Sequence, residues 1–378
     1  MTVRQTKAGS DIRTIADGGR NMSIVGKAML LLSTLLFLAL TGCAPGTHVA
    51  YVTLPDSNGV AAYRIRDVSG AFTEIIGSPY LAGTSPAAIL LSPSGRYAYV
   101  ANRIDNSISL YSVNSLIGSL TEIFPRTTTG LDPAAMAMNS AGSLLFVANE
   151  IGSSISVYSI NSASGALSQA AGTPVSTSPN PVALAVTPSG NFLYVVNTNL
   201  GVIFGYSVAS SGALQLVSGS PFPSDTGAFA LTMDPAGHFV YVANSTANTV
   251  SVLAIAANGA LSHVPGSPFA TGTTPVALAT SPNGQYLYIV NESSNNITEY
   301  SIAPATGFAS TLTGSPVSCG IAPTFVVADP NGYFVYVVSQ GAKTISSFLV
   351  GSGTGELTAA GPKSATTSAI VGGISVGH

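Results

Sequence analysis

The sequence predicts an all-β fold, a seven-bladed β-propeller with four antiparallel strands per blade. Three observations carry this: a strand motif that recurs seven times, strand and turn signals filling every repeat, and a length that the repeats nearly exhaust. The motif is aromatic-Val/Ile-x-Asn, as in Tyr99-Val100-Ala101-Asn102, Phe146-Val147-Ala148-Asn149, Tyr194-Val195-Val196-Asn197, Tyr241-Val242-Ala243-Asn244 and Tyr288-Ile289-Val290-Asn291. Degenerate copies at Tyr51-Val52 and Tyr336-Val337 complete the seven, at a spacing of 47 or 48 residues. A repeat of this length built of strands and turns is one propeller blade, and seven blades can close a ring. Residues 43–378 divide into seven parts of 48, which leaves no room for an inserted domain.

The elements follow in chain order. Residues 1–42 read as a leader. After Lys27 an apolar stretch over 28–40 precedes Thr41-Gly42-Cys43. Thirteen helical residues span roughly 20 Å, short of the ~30 Å hydrocarbon core, so a secretory signal is expected rather than a spanning helix. Leu40-Thr41-Gly42-Cys43 resembles the bacterial lipoprotein cleavage box, which makes Cys43 the expected lipidation site and mature N-terminus. The alternatives are an uncleaved anchor helix, or an ordinary signal with Cys43 incidental. Residues 1–21 are unlike a usual n-region, whereas Met22-Ser23-Ile24-Val25-Gly26-Lys27 is a normal one, so translation can start at Met22. Residues 43–49 form a tether, and 50–378 the propeller.

Within a repeat, 181–187 reads as inner strand A, small and apolar; 192–197 as B; 202–208 as C, which alternates; and 213–217 as outer strand D. Turns between A and B carry Pro and Gly, as in Ser281-Pro282-Asn283-Gly284 and Asp329-Pro330-Asn331-Gly332, where Pro presets φ and Gly supplies a positive one. The propeller opens with strands B, C and D over 50–53, 60–65 and 72–76, without an A strand. Residues 368–376 have A-like character at the other end. The C-terminal strand is therefore expected to complete the first blade and remove both open edges.

Composition narrows the function. Charged residues are 7% of the chain, and residues 43–378 hold seven Lys/Arg against thirteen Asp/Glu, a balance of −6. The basic residues are scattered, which argues against a nucleic-acid partner. With Cys43 acylated, Cys319 has no disulfide partner and reads as a small buried hydrophobe. His48, His238, His263 and His378 are dispersed, no Cys/His cluster suggests a metal, and no cofactor motif is present.

Together with Gly-Ser-Pro (Gly77-Ser78-Pro79, Gly219-Ser220-Pro221, Gly266-Ser267-Pro268, Gly314-Ser315-Pro316), the Tyr-Val-x-Asn motif resembles the YVTN-repeat propellers. More narrowly, residues 50–378 resemble the lactonase-like family of propeller-type 6-phosphogluconolactonases and carboxymuconate cyclases. That resemblance implies a fold, since its motifs build blades, and it implies a lactone chemistry using His, Glu and Arg near the central channel.

Lactone chemistry needs an acid or base, a donor for the carbonyl oxygen and a pocket. Loops joining B to C and D to A share one face, here the first face. On it fall Asp56, Arg103, Asp105, Asn106, Glu150, Asn199, Glu292 and Lys343 from B–C loops, and Arg126, Asp132, Asp225, Cys319 and Lys363 from D–A loops. No His is expected there. The catalytic candidates are Arg103 and Arg126, for an anionic or carbonyl group, with Glu150 or Asp132 as base; solvated loop charge is the alternative. The recurring Asn102, Asn149, Asn197, Asn244 and Asn291 are expected to bond nearby backbone. Two functions remain: an exported, lipid-anchored, monomeric binding module of the cell envelope, recognising a protein or glycan, or a hydrolase of a sugar or acyl lactone.

Overall fold

The computed structural model describes residues 47–361, 365–367 and 371–377. The leader, Met22, Cys43 and Lys363 lie outside the described residues. Seven antiparallel sheets follow one another, each ordered A–B–C–D from the axis outward. Strand B is buried along its whole length in most blades, as in Tyr97–Asn102 of blade 2 and Tyr286–Asn291 of blade 6. Its alternation explains why it is apolar throughout. Ala98 and Val100 pack with Val49 and Tyr51 of blade 1, while Tyr99 and Ala101 pack with Leu145 and Val147 of blade 3. Successive side chains point to opposite faces, and both faces here meet a neighbouring blade.

The motif tyrosines also lock neighbouring blades together. The hydroxyls of Tyr51, Tyr99, Tyr194 and Tyr288 donate to the carbonyls of Gly118, Gly165, Gly259 and Gly355, each in the C–D turn of the next blade. On strand C, Tyr111 and Tyr158 donate backwards, to Leu81 of blade 1 and Thr128 of blade 2. The A–B turns follow expectation, with positive φ at Gly95, Gly190, Gly237, Gly284 and Gly332.

The ring closes through the C-terminus. Strand Ile374–Gly377 pairs with the first strand, Thr47–Leu54, in the register Val49 to Gly377 through Val52 to Ile374. It also packs between the inner strands of blades 7 and 2, Pro323–Ala328 and Pro86–Leu91. One of its backbone edges is thereby paired, and the blade 1 sheet gains its inner strand.

Three details differ from the sequence reading. Strand B of blade 1 begins at Thr47, because residues 47–49 find partners in Arg66, Ile65 and Arg64. What reads as the end of the tether is therefore strand. The C-terminal strand is shorter than expected, with Val371 to Gly373 approaching it through bonds of Gly372 and Gly373 to Thr53 and Ala87. Residues 368–370 lie outside the described residues. Finally, strand D is interrupted in six blades: in blade 4, Leu214–Leu216 and Phe222–Pro223 both pair with strand C, Val202–Val208. In blades 1, 4, 5 and 6 the break coincides with the Gly-Ser-Pro motif, and in blade 3 with Gly172-Thr173-Pro174; in each of these the Pro follows a cis bond.

Candidate functional site

The repeat places a residue of the B–C loop against the end of the preceding D–A loop in blades 2 to 7. Glu150 N–H donates to the Asp132 carbonyl, Arg103 N–H to Ser85, and Glu292 N–H to Thr274. The accepting residue sits just before strand A in a left-handed conformation (Asp132 φ 58, Ser85 φ 56, Thr274 φ 58). Its N–H is held by an Asn side chain of the neighbouring blade, as Asp132 N–H is by Asn106 Oδ1 at 2.7 Å. Asn106 therefore has a structural duty on this face.

Arg103 and Glu150 occupy the same loop position in consecutive blades, so their side chains meet across the seam between blades 2 and 3. Arg103 Nε and Nη2 donate to Asp132 Oδ1 and Oδ2 at 2.5 and 2.7 Å, a bidentate fork, and Nη2 donates to Glu150 Oε2 at 2.5 Å. Asp132 first, through these hydrogen bonds, holds the guanidinium proton even more firmly than usual, with Glu150 adding to it. The triad lies beside an open cleft of about 490 Å³ lined by Ser85, Arg103, Ile104, Asn106, Leu131, Asp132 and Ile151. One cation stands against two carboxylates, so the triad carries a formal charge of −1.

Arg126 does not join them. It lies within outer strand Leu120–Thr128 rather than in a D–A loop, because blade 2 has an uninterrupted D strand. There it forks onto Glu122, four residues earlier, at 2.7 and 3.3 Å, and stands 3.5 Å from Asp105. The hydrogen bonds from Thr84 hold the Asp105 carboxyl below its usual range, with Arg126 adding a smaller pull in the same direction. The two arginines thus sit in separate clusters, each neutralised by carboxylates.

The recurring asparagines are fully buried. Asn102 Nδ2 donates to Ser107 and Ser109, Asn149 Nδ2 to Ser154 and Ser156, and Asn244 Nδ2 to Thr249 and Ser251. Gly130 is required opposite one of them, since a Cβ there would lie 2.6 Å from the Asn149 side chain. The role is structural, as expected, but the partners are mainly Ser and Thr hydroxyls of the adjacent C strand rather than backbone, which Asn197 alone mainly engages through Ser178 and Pro179. Around the axis, the described A strands carry no Asp, Glu, His, Lys or Arg, and Phe229 and Phe325 are their most exposed large side chains. Cys319 is partly buried, and burial pushes its thiol up to about 12, the opposite of an activated nucleophile. No group of three or more His, Cys, Asp or Glu side chains suited to a metal ion occurs among the described residues.

Two titratable sites escape sequence reasoning. Glu299, on strand C of blade 6, is fully buried; its Oε1 accepts the Leu357 N–H of blade 7 at 2.7 Å. Burial pushes its carboxyl up to about 7, against the opposing pull of that hydrogen bond. Superposing the C strands would have revealed it, because Glu299 stands where Val157 and Val252 stand in other blades. On the opposite face, at the closure seam, buried His48 meets Asp67 at 2.7 Å and stands 3.7 Å from Asp329, with Asn331 at 3.3 Å. Burial raises the Asp329 carboxyl, partly countered by His48. The other described histidines are far from the triad: His238 is exposed beside an A–B turn and His263 lies on an outer strand.

The family model described as Lactonase, 7-bladed beta-propeller matches residues 43–184 and 218–319. No protein of curated function matches by sequence. Among solved structures, the chain is similar to a periplasmic gluconolactonase of Pseudomonas aeruginosa, at 20% identity and a TM-score of 0.75, over 88% of this chain and 99% of that one. It is also similar to a protein from Bacteroides uniformis provisionally named a 6-phosphogluconolactonase (18% identity, TM-score 0.78, 88% and 100% covered). A protein from Lactobacillus plantarum gives 19% identity and a TM-score of 0.74, with 88% and 100% covered. At these identities the likeness concerns the fold.

Proposed function

We propose that this chain, which belongs to the seven-bladed β-propeller lactonase family, serves as an exported, lipid-anchored binding module of the cell envelope, working through its first face. The carrying observation is that both candidate arginines are already paired, Arg103 with Asp132 and Glu150, and Arg126 with Glu122 and Asp105. Neither offers a free cation to a carbonyl oxygen or a phosphate, and the described inner strands supply no acid or base to the channel. Strand B of blade 1 starts at the face of the A–B and C–D turns, opposite the first face. The test is capture of envelope proteins or glycans by the purified propeller. Binding abolished by substitutions at Ile104 and Ile151, and untouched by substitutions at His238, supports the reading. Binding that ignores the first face opposes it.

A second reading, hydrolysis of an extracytoplasmic sugar or acyl lactone, is favoured by the family and by the convergence of Arg103, Asp132 and Glu150 beside a cleft. Glu150 would activate water, and Arg103 would steady the carbonyl oxygen. Phosphorylated lactones fit this face poorly, because their charge would meet carboxylates. Turnover of a lactone panel that disappears in Glu150→Ala and Arg103→Ala would establish this reading over the first.

A further inference from the structure

We propose that the cleft at the seam of blades 2 and 3 receives an amphipathic cation, an ammonium group carried on an aliphatic chain. This rests on the binding reading above and names the ligand class for the same face.

The cleft sets three aliphatic side chains among polar ones, Ser85, Arg103, Asn106 and Asp132. Ile104, Leu131 and Ile151 remain 67%, 55% and 70% exposed while lining one cleft. Three aliphatic side chains are left in water around a single concavity, so an apolar chain laid there would remove them from solvent. The cleft is also pre-formed. Gly152 N–H donates to the Leu131 carbonyl at 3.0 Å, which ties the Ile151 loop to the Leu131 loop. A Cβ at position 152 would lie 2.9 Å from the Leu131 nitrogen, so this approach requires glycine. A volume of about 490 Å³ is within the usual range for small-molecule sites.

Charge selects the head group. Arg103 and Asp132 line the cleft and Glu150 closes the triad, for a formal charge of −1. The neighbouring cluster of Arg126, Glu122 and Asp105 adds another −1. An anionic head would have to displace a carboxylate from Arg103 before finding a partner. An ammonium group is attracted by the excess carboxylate, and Glu150 engages only one of its two oxygens in the hydrogen bonds of the described residues. The aliphatic tail then covers the isoleucine walls.

The experiment titrates the propeller with octylammonium, octanol and octanoate, below their aggregation concentrations, by calorimetry and backbone amide shifts at pH 7. The expected result is saturable octylammonium binding at least about tenfold tighter than octanoate, with shifts centred on residues 103–106, 131–132 and 150–152. Ile151→Ser should weaken all binders. Glu150→Gln should weaken octylammonium while leaving octanol unchanged. Both variants alter solvent-accessible side chains, and an unchanged Tm confirms that they fold. Octanoate or octanol binding as tightly as octylammonium would refute the cation preference while leaving a binding face intact. Failure of all three probes to bind would overturn the cleft as an amphiphile site, whereas the binding-module reading would still stand or fall on envelope capture. Octylammonium binding that ignores Ile151→Ser would place it elsewhere and refute the proposal.

Discussion

Replacing Glu299 by Gln should make the propeller more stable above neutral pH and leave it unchanged in mild acid. The side chain has no exposed surface, Oε1 accepts the Leu357 N–H, and Oε2 has no partner among the described residues. Burial between blades 6 and 7 pushes the carboxyl from 4.5 to about 7. The folded state therefore holds this proton more tightly than the unfolded chain does. Its contribution is complete below about pH 4.5, declines through the window from 4.5 to about 7, and stays lost above it. At about 1.4 kcal/mol per unit, the loss is on the order of 3 kcal/mol, or roughly 5 °C in Tm for a chain of this size. Glutamine keeps the carbonyl that accepts from Leu357 and cannot ionise. Melting curves of both proteins from pH 4.5 to 8 should coincide at the acid end and separate progressively, with the variant higher. A difference in Tm that is the same at pH 4.5 and 8 would refute the assignment of a neutral buried carboxyl.

Other consequences are equally direct. Tyr194→Phe removes a buried hydroxyl bonded to the Gly259 carbonyl at 2.8 Å and should cost about 1–2 kcal/mol in denaturant titration, whereas Tyr241→Phe, whose hydroxyl has no partner among the described residues, should cost nothing or stabilise. Deleting residues after Thr367 removes the strand paired with Val49–Val52 and the buried Val371, and should lower stability by on the order of 5 kcal/mol; an unchanged melt would sink the ring closure. Cys43→Ser should move the protein from the membrane fraction to the soluble fraction in cells, as expected of a lost acyl anchor.

The blade plan was legible because it repeats. Tyr-Val-x-Asn marks strand B in one blade after another, and the physical reason is visible in Tyr99, whose ring and hydroxyl serve the next blade while Val100 packs on the previous one. The meeting of Arg103 with Glu150 was legible for the same reason, since equal positions in consecutive blades lie side by side. What fails is whatever departs from the repeat. Arg126 reads as a loop residue by analogy, yet blade 2 carries Phe124-Pro125 where blades 1, 4, 5 and 6 carry Ser-Pro, and its D strand runs on to Thr128. His48 reads as tether, while its partner Asp67, 19 residues away, is brought to it by strand pairing within blade 1, and Asn331, 283 residues away, meets it only through closure of the ring. Glu299 is a single charge in an apolar position, visible in the sequence only when the C strands are superposed and it falls where Val157 and Val252 stand.

The central claim, that the first face binds rather than catalyses, is tested most directly by incubating the purified propeller with a panel of sugar and acyl lactones beside Arg103→Ala and Glu150→Ala controls. The paired arginines and the uncharged inner strands predict hydrolysis at the uncatalysed rate for all three proteins. Turnover by the native chain that either substitution removes would contradict it.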